Sequence, residues 1–385
     1  VKASLEVDSL SLETKAAGDV EIVGKGLLEL KEVVVKSGTF RAEADALDVN
    51  LLSLLGNEND AELIGSTGDV RIGTVDMGTG GDVVLKAGEA VSMLNSNSEL
   101  SADALSLSAV KGIAITTDVD SLVGEVSGVG QFSVVEKNDL TVQDVRVASG
   151  SFSLSVGGAV DVHAARVTDG NLSLEAGNAL RAGFVSAGSG KAILKGKSLV
   201  MLPSSEGELS SLITGGEVEV EGGGSVDLDL STNFLSLKTT DAGSVLIREI
   251  DDLVLRSAEV ADGALSISAQ GDLRVEKLDA LGTGVIDLQT GKGSIALGNI
   301  DAGADNKLRV NASKSLAKWA GRVTSDITEI KAGGAAVIDL AGGELEVNLV
   351  EVGDLTVLSA GNLSIGKAVL AKGSLNANVS GSLSV

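Results

Sequence analysis

At 385 residues, 43% of them hydrophobic, the chain can bury an extensive core, but with no Tyr, one Trp and five Phe that core must be built from Val, Leu, Ile and Ala rather than large rings. A formal net charge of −24 excludes charge-driven binding to nucleic acid or to anionic lipid, and the absence of Cys excludes disulfides, thiol chemistry and cysteine metal sites. Fifty glycines with a single proline exclude collagen and proline-rich linkers. The longest uncharged stretches, such as Val147 to Val160, interleave Ser and Gly with apolar residues and fall short of the ~18 apolar residues of a spanning helix, so no membrane span is expected.

Taken in chain order, the pattern is one of short alternating runs separated by glycine, which predicts strands with one face inward. The first departure is Leu51 to Ile64, which includes Asn57-Glu-Asn-Asp and reads as a loop or local elaboration. Between Gly130 and Leu202 the periodicity is close to perfect. Gly130, Gly150, Gly170 and Gly190 fall 20 residues apart, each followed two places on by Phe132, Phe152, Leu172 and Ala192, then by Val134, Leu154, Leu174 and Leu194. A second run places Leu140, Val160, Leu180 and Val200 in one column and Val142, Val162, Ala182 and Leu202 in the next. A third gives Val145, Ala165 and Val185 with Val147, Val167 and Ala187. Three alternating runs and three glycine-marked bends per period make one triangular coil, and stacked coils pair each strand with its equivalents above and below.

His163, the only histidine, follows inward Val162 and therefore points to solvent; a histidine triad or a multi-histidine metal site is excluded by count. Pro203 to Leu212 is the second departure. After it comes the densest acidic stretch, Glu217, Glu219, Glu221, Asp227 and Asp229, on an outward face. These are the candidate metal residues: they would bind Ca²⁺ if neighbouring coils brought their carboxylates together, while the same alternation also describes a plain solvated sheet face. Gly222-Gly-Gly and Gly333-Gly lack the Gly-Lys-Ser/Thr ending of a phosphate loop. Gly263 and Gly284 open similar runs 21 apart, and Ser313 to Gly333, with Leu316-Ala-Lys-Trp-Ala, lacks clean alternation and is expected to form a short helix. Asn-x-Ser sequences begin at Asn171, Asn311, Asn362 and Asn378, as chance allows in so serine-rich a chain.

The 20-residue unit returns in Gly353-Asp-Leu-Thr-Val and Gly373-Ser-Leu-Asn-Ala. The expected fold is all-β, a single-stranded parallel β-helix (solenoid) of ~20-residue coils running through residues 1–385 as one continuous domain, right-handed by the general preference of parallel crossovers. At ~4.8 Å per stacked strand it would make about 19 coils and a rod roughly 90 Å long. Because the chain opens and closes within repeats, it is expected to be a fragment of a longer repeat protein, continued by further repeats or by identical subunits end to end.

The units Gly353-Asp-Leu-Thr-Val-Leu-Ser-Ala-Gly-Asn-Leu-Ser-Ile and Gly170-Asn-Leu-Ser-Leu-Glu-Ala-Gly-Asn-Ala-Leu resemble the repeats of filamentous-haemagglutinin-type exoproteins, in a style that covers most of the chain loosely. The resemblance implies a right-handed β-helical shaft on a bacterial surface, exported unfolded and working in adhesion or cell contact with surface glycans or proteins. Nothing here matches that family's amino-terminal secretion domain. No catalytic residue and no cofactor is expected beyond the Ca²⁺ candidates. A competing reading is a polysaccharide-binding or polysaccharide-cleaving protein on the same scaffold, although sugar grooves usually use aromatic platforms that this composition lacks. A third is a viral or phage fibre segment, which tight trimerisation would distinguish.

Overall fold

The structure, a computed structural model, describes residues 1–57, 59–78, 80–203, 211–301, 307–320, 323–324, 326–339, 345–360, 363–371, 373–379 and 381–385. The fold is a parallel β-solenoid of about 17 turns, with bridged residues about 20 apart and no helix among the described residues. None therefore is a helix long and apolar enough to cross a membrane. Contacts divide it into two compact units, one built on Val1–Ala192 and the other on Ile193–Met201 and Ser211–Val385.

In the first unit the columns read from the sequence are the observed register. Leu140 pairs with Val160 and Val160 with Leu180; Val142, Val162 and Ala182 follow in step, as do Phe132, Phe152 and Leu172. All nine are 3% exposed or less, so each coil contributes the same short list of apolar side chains to a continuous interior. The rings of Phe132 and Phe152 meet edge to face with centroids 5.3 Å apart. Gly124 makes room for them, since a Cβ there would come within 2.3 Å of the Phe132 ring.

The glycine ladder differs in kind from the expectation. Gly130, Gly150 and Gly170 do not interrupt strands but lie inside Gly112–Glu136, Leu140–Val156 and Val160–Ala176, and they pair with one another across coils. Gly112–Glu136 is longer than a 20-residue coil, so the chain bends while keeping its coil-to-coil hydrogen bonds. What demands glycine is the close approach at the bend: a Cβ on Gly150 would sit 1.9 Å from the Gly130 carbonyl oxygen, and one on Gly170 would sit 1.5 Å from that of Gly150.

A second device closes the corners. The Asp139 carboxylate accepts the backbone N–H of Ala159 at 2.7 Å, Asp252 that of Asp272 at 2.7 Å, and Asp354 that of Ser374 at 2.7 Å, each 20 residues ahead. The Asp-Leu pair at these corners, Asp139-Leu140, Asp252-Leu253 and Asp354-Leu355, thus joins a cap for the next coil to the first inward residue of a strand.

Three expectations are corrected. Spacings of 23 between Leu47 and Val70 and of 22 between Ala61 and Val83 exceed 20, which is why the chain makes about 17 turns rather than 19. Leu316-Ala-Lys-Trp-Ala is a strand, Leu316–Ala320, not a helix: Leu316 pairs with Ile295 on one side and Ala336 on the other. A five-residue helix is marginal alone, and two ready sheet partners outweigh an imperfect alternation. In the strand Ser198–Met201 it is Leu199, fully buried and paired with Val226, that faces inward, while Val200 and Leu202 are half-exposed. Five residues separate Leu194 from Leu199 where six separate Leu174 from Leu180, and one residue lost at a corner turns the next strand over.

Leu51 to Ile64 resolves into the ends of strands Ala46–Leu54 and Ala61–Gly65 around a corner where Asn59, 3% exposed, accepts the Gly38 N–H at 2.8 Å. Most of Pro203 to Leu212 lies outside the described residues.

Candidate functional site

The predicted acidic residues occupy two strands, Leu212–Gly222 and Val226–Thr239, and the register keeps their two runs apart. Glu217, Glu219 and Glu221 face Phe234, Ser236 and Lys238, whereas Asp227 and Asp229 face Leu246 and Arg248. Cations from other coils meet them. Arg256 pairs with Glu217 while its guanidinium lies 4.0 Å over the Phe234 ring, Lys195 reaches Glu221 at 3.0 Å, and Arg248 bridges Asp227 at 2.7 Å and Asp229. No three His, Asp or Glu side chains converge as a metal site would require among the described residues. The outward faces of the first unit carry similar pairs, Arg181 with Asp161 and Arg41 with Glu62. Charge on these faces links coil to coil. His163 is exposed, as its place after Val162 predicts. Of the Asn-x-Ser asparagines, Asn171, Asn311 and Asn378 lie in strands, and Asn362 falls outside the described residues.

Two buried carboxylates were not foreseen. Glu136 and Glu249, each 2% exposed, end the runs Phe132-x-Val134-x-Glu136 and Val245-x-Ile247-x-Glu249 at inward positions. The neighbours in their columns are apolar: Val156 beside Glu136, and Leu230 and Ala269 on either side of Glu249. Each turns its carboxylate onto backbone N–H groups of a corner. Glu136 accepts from Val119, 17 residues back, at 3.0 Å, from Lys137 at 2.7 Å, from Asn138 at 3.1 Å, and from the Thr117 hydroxyl at 2.8 Å. Glu249 accepts from Thr232, also 17 back, at 3.0 Å, and from Asp251 at 3.2 Å. Burial pushes both carboxyls up from the ordinary range, against the pull of these bonds, and brings Glu249 to about 7. The signal was in the sequence: a glutamate at an inward position whose neighbours in the next coil are Val156 and Ala269.

Above Glu249 lies a groove of about 810 Å³ in the second unit. It follows successive corners, from Ser231–Asn233 through Ile250–Asp252 and Gln270–Asp272 to Lys292–Gly293 and Lys314. The corners are stitched by backbone bonds from Ile250 to Leu230 at 3.1 Å, Gly271 to Asp251 at 3.0 Å, Lys292 to Gln270 at 2.8 Å and Lys314 to Gly293 at 3.0 Å. Glycine lets these corners stack closely, since a Cβ on Gly293 would come within 2.0 Å of the Gly271 carbonyl oxygen. The exposed side chains along it are Asn233, Ile250, Asp251, Asp252, Gln270, Asp272, Lys292 and Lys314. Sequence reasoning missed this groove, because its residues come from six coils, Gly215 in the first of them, and no local motif unites them.

No family model, curated protein or solved structure matches the chain.

Proposed function

We propose that this chain is a length of structural shaft from a bacterial extracellular fibre or cell-surface adhesin, and that it is not an enzyme. The observation that carries the reading is the interchangeability of coils within each unit. The same inward columns, the same glycine approach and the same Asp-to-backbone cap recur at the 20-residue period, so each coil is a template for the next and length is gained by adding repeats. The outward carboxylates support it, being held by Arg and Lys of neighbouring coils instead of converging on one point. Repeat style adds the filamentous-haemagglutinin-like character: an exported protein at the bacterial surface, continued by further repeats or by identical subunits, needing no cofactor and working by contact with glycans or proteins of another surface.

Immunogold electron microscopy on intact source cells, with antibody raised against this chain, tests the reading. Label along surface fibres is the expected result. Label absent from the cells, with the chain free in the medium as a compact monomer, overturns it and makes a polysaccharide-cleavage screen the next step.

A further inference from the structure

We infer that the groove over Glu249 is a binding site for a sparsely charged acidic oligosaccharide, its carboxylate held by Lys292 and Lys314 and its hydroxyls by Asp251 and Asn233. The first argument is charge. In a chain of net charge −24, most described Lys and Arg side chains are tied to a carboxylate, yet Lys292 and Lys314 make no ion pair with a described residue. They stand at corners of adjacent coils, joined by the bond from the Lys314 N–H to Gly293, so one anionic group one coil step across, ~4.8 Å, meets both. The other end of the groove has the opposite character. Asp251 is exposed, and its carboxylate suits a pair of neighbouring sugar hydroxyls, each donating to one oxygen. The Asn233 amide beside it both donates and accepts.

The second argument excludes other occupants. An extended peptide joins a protein by adding to unpaired backbone groups, but the N–H groups of Ile250, Gly271, Lys292 and Lys314 are already spent between coils. Recognition must come from side chains, which here are mainly amides, carboxylates and ammonium groups, with Ile250 the exposed apolar one. A densely sulfated chain is opposed by Asp251, Asp252 and Asp272, whereas one carboxylate per few sugars meets the lysines alone. The four coil steps from Asn233 to Lys314, at ~4.8 Å each, span about 19 Å, enough for a short oligosaccharide.

The site deepens the surface-contact role proposed above and rests on it only for its biological meaning, because binding is measured on the isolated chain while the shaft reading is tested on cells. The experiment is isothermal titration of the purified chain with a tetrasaccharide carrying a single terminal uronate, beside a neutral cellotetraose and a heparin tetrasaccharide. The expected result is saturable binding of the uronate chain, weaker binding of both others, and at least about a tenfold loss in the Lys292→Gln/Lys314→Gln variant, a change of ~1.4 kcal/mol. Lys307→Gln, which removes another exposed cation of the same unit, is expected to bind as the parent does. The inference is overturned if the uronate chain does not saturate below about 1 mM, if the neutral or the sulfated probe binds as well, or if Lys307→Gln loses as much as the double variant. Circular dichroism of the variants separates lost binding from lost fold.

Discussion

Glu136 in the first unit and Glu249 in the second are the same device in different surroundings. Both end an inward run, both receive an N–H from 17 residues back, and both hold a corner from inside the core. Nineteen residues before Glu136 stands Thr117, whose hydroxyl donates to the carboxylate; nineteen before Glu249 stands Leu230, which donates nothing and deepens the apolar wall. Thr232 does not replace the missing donor, because its hydroxyl turns to the Phe234 carbonyl at 3.1 Å, and the neighbouring Asp251 charge pushes the Glu249 carboxyl up further. The comparison teaches that a buried carboxylate in a solenoid is tuned by one position of the preceding coil.

Removing the carboxylates breaks the comparison most severely. Glu136→Ala strands the N–H groups of Val119, Lys137 and Asn138 and the Thr117 hydroxyl, and is expected to cost about 4 kcal/mol; Glu249→Ala, with fewer donors stranded, should cost about 2–3 kcal/mol. Urea unfolding read by hydrogen exchange should show each loss confined to its own unit, and equal losses would dissolve the distinction.

The pH dependence sharpens it. Glu249 holds its proton in the folded chain up to about 7 but releases it near 4.5 once unfolded, so between those values the folded state binds more protons. The contribution of Glu249 to stability is therefore fully present below about 4.5 and is lost as pH rises through about 7, by a total on the order of 3 kcal/mol. Glu249→Gln should remove that part of the slope, and a second unit whose unfolding midpoint keeps the parent's pH profile in this variant would contradict the assignment.

Exchanging the tuning residue is the direct test. Leu230→Thr places a hydroxyl where the first unit has Thr117 and should bring Glu249 down from about 7 toward the ordinary carboxylate range, read by carbon-13 titration of labelled glutamate. The reciprocal Thr117→Leu should raise Glu136 and cost about 1 kcal/mol. Smallest are the outer pairs: Arg181→Ala, which frees Asp161, and Arg248→Ala, which frees Asp227 and Asp229, should each cost under about 1 kcal/mol, and less at high salt. A larger loss at either would mean that the outward faces, not the inward columns, hold the coils together.

That the two faces of a strand differ was legible in residues alone, because side chains alternate at period two whatever the chain packs against. The 20-residue recurrence of Gly130, Gly150 and Gly170 carried the coil length, and with it the stacking of Leu140 on Val160 and Val160 on Leu180. His163 could be placed outside for the same reason. Tertiary structure decided what depends on how one coil lies on the next. A corner shorter by one residue turned Leu199 inward in place of Val200, and register set Glu217 against Phe234 and Asp227 against Leu246, holding the two acidic runs apart. It also brought Asp251, Lys292 and Lys314 to one groove, and surrounded Glu249 with the burial that brings its carboxyl to about 7. Side-chain direction is a property of single strands and can be read locally; neighbours 17 to 23 residues away exist only once the coils have closed.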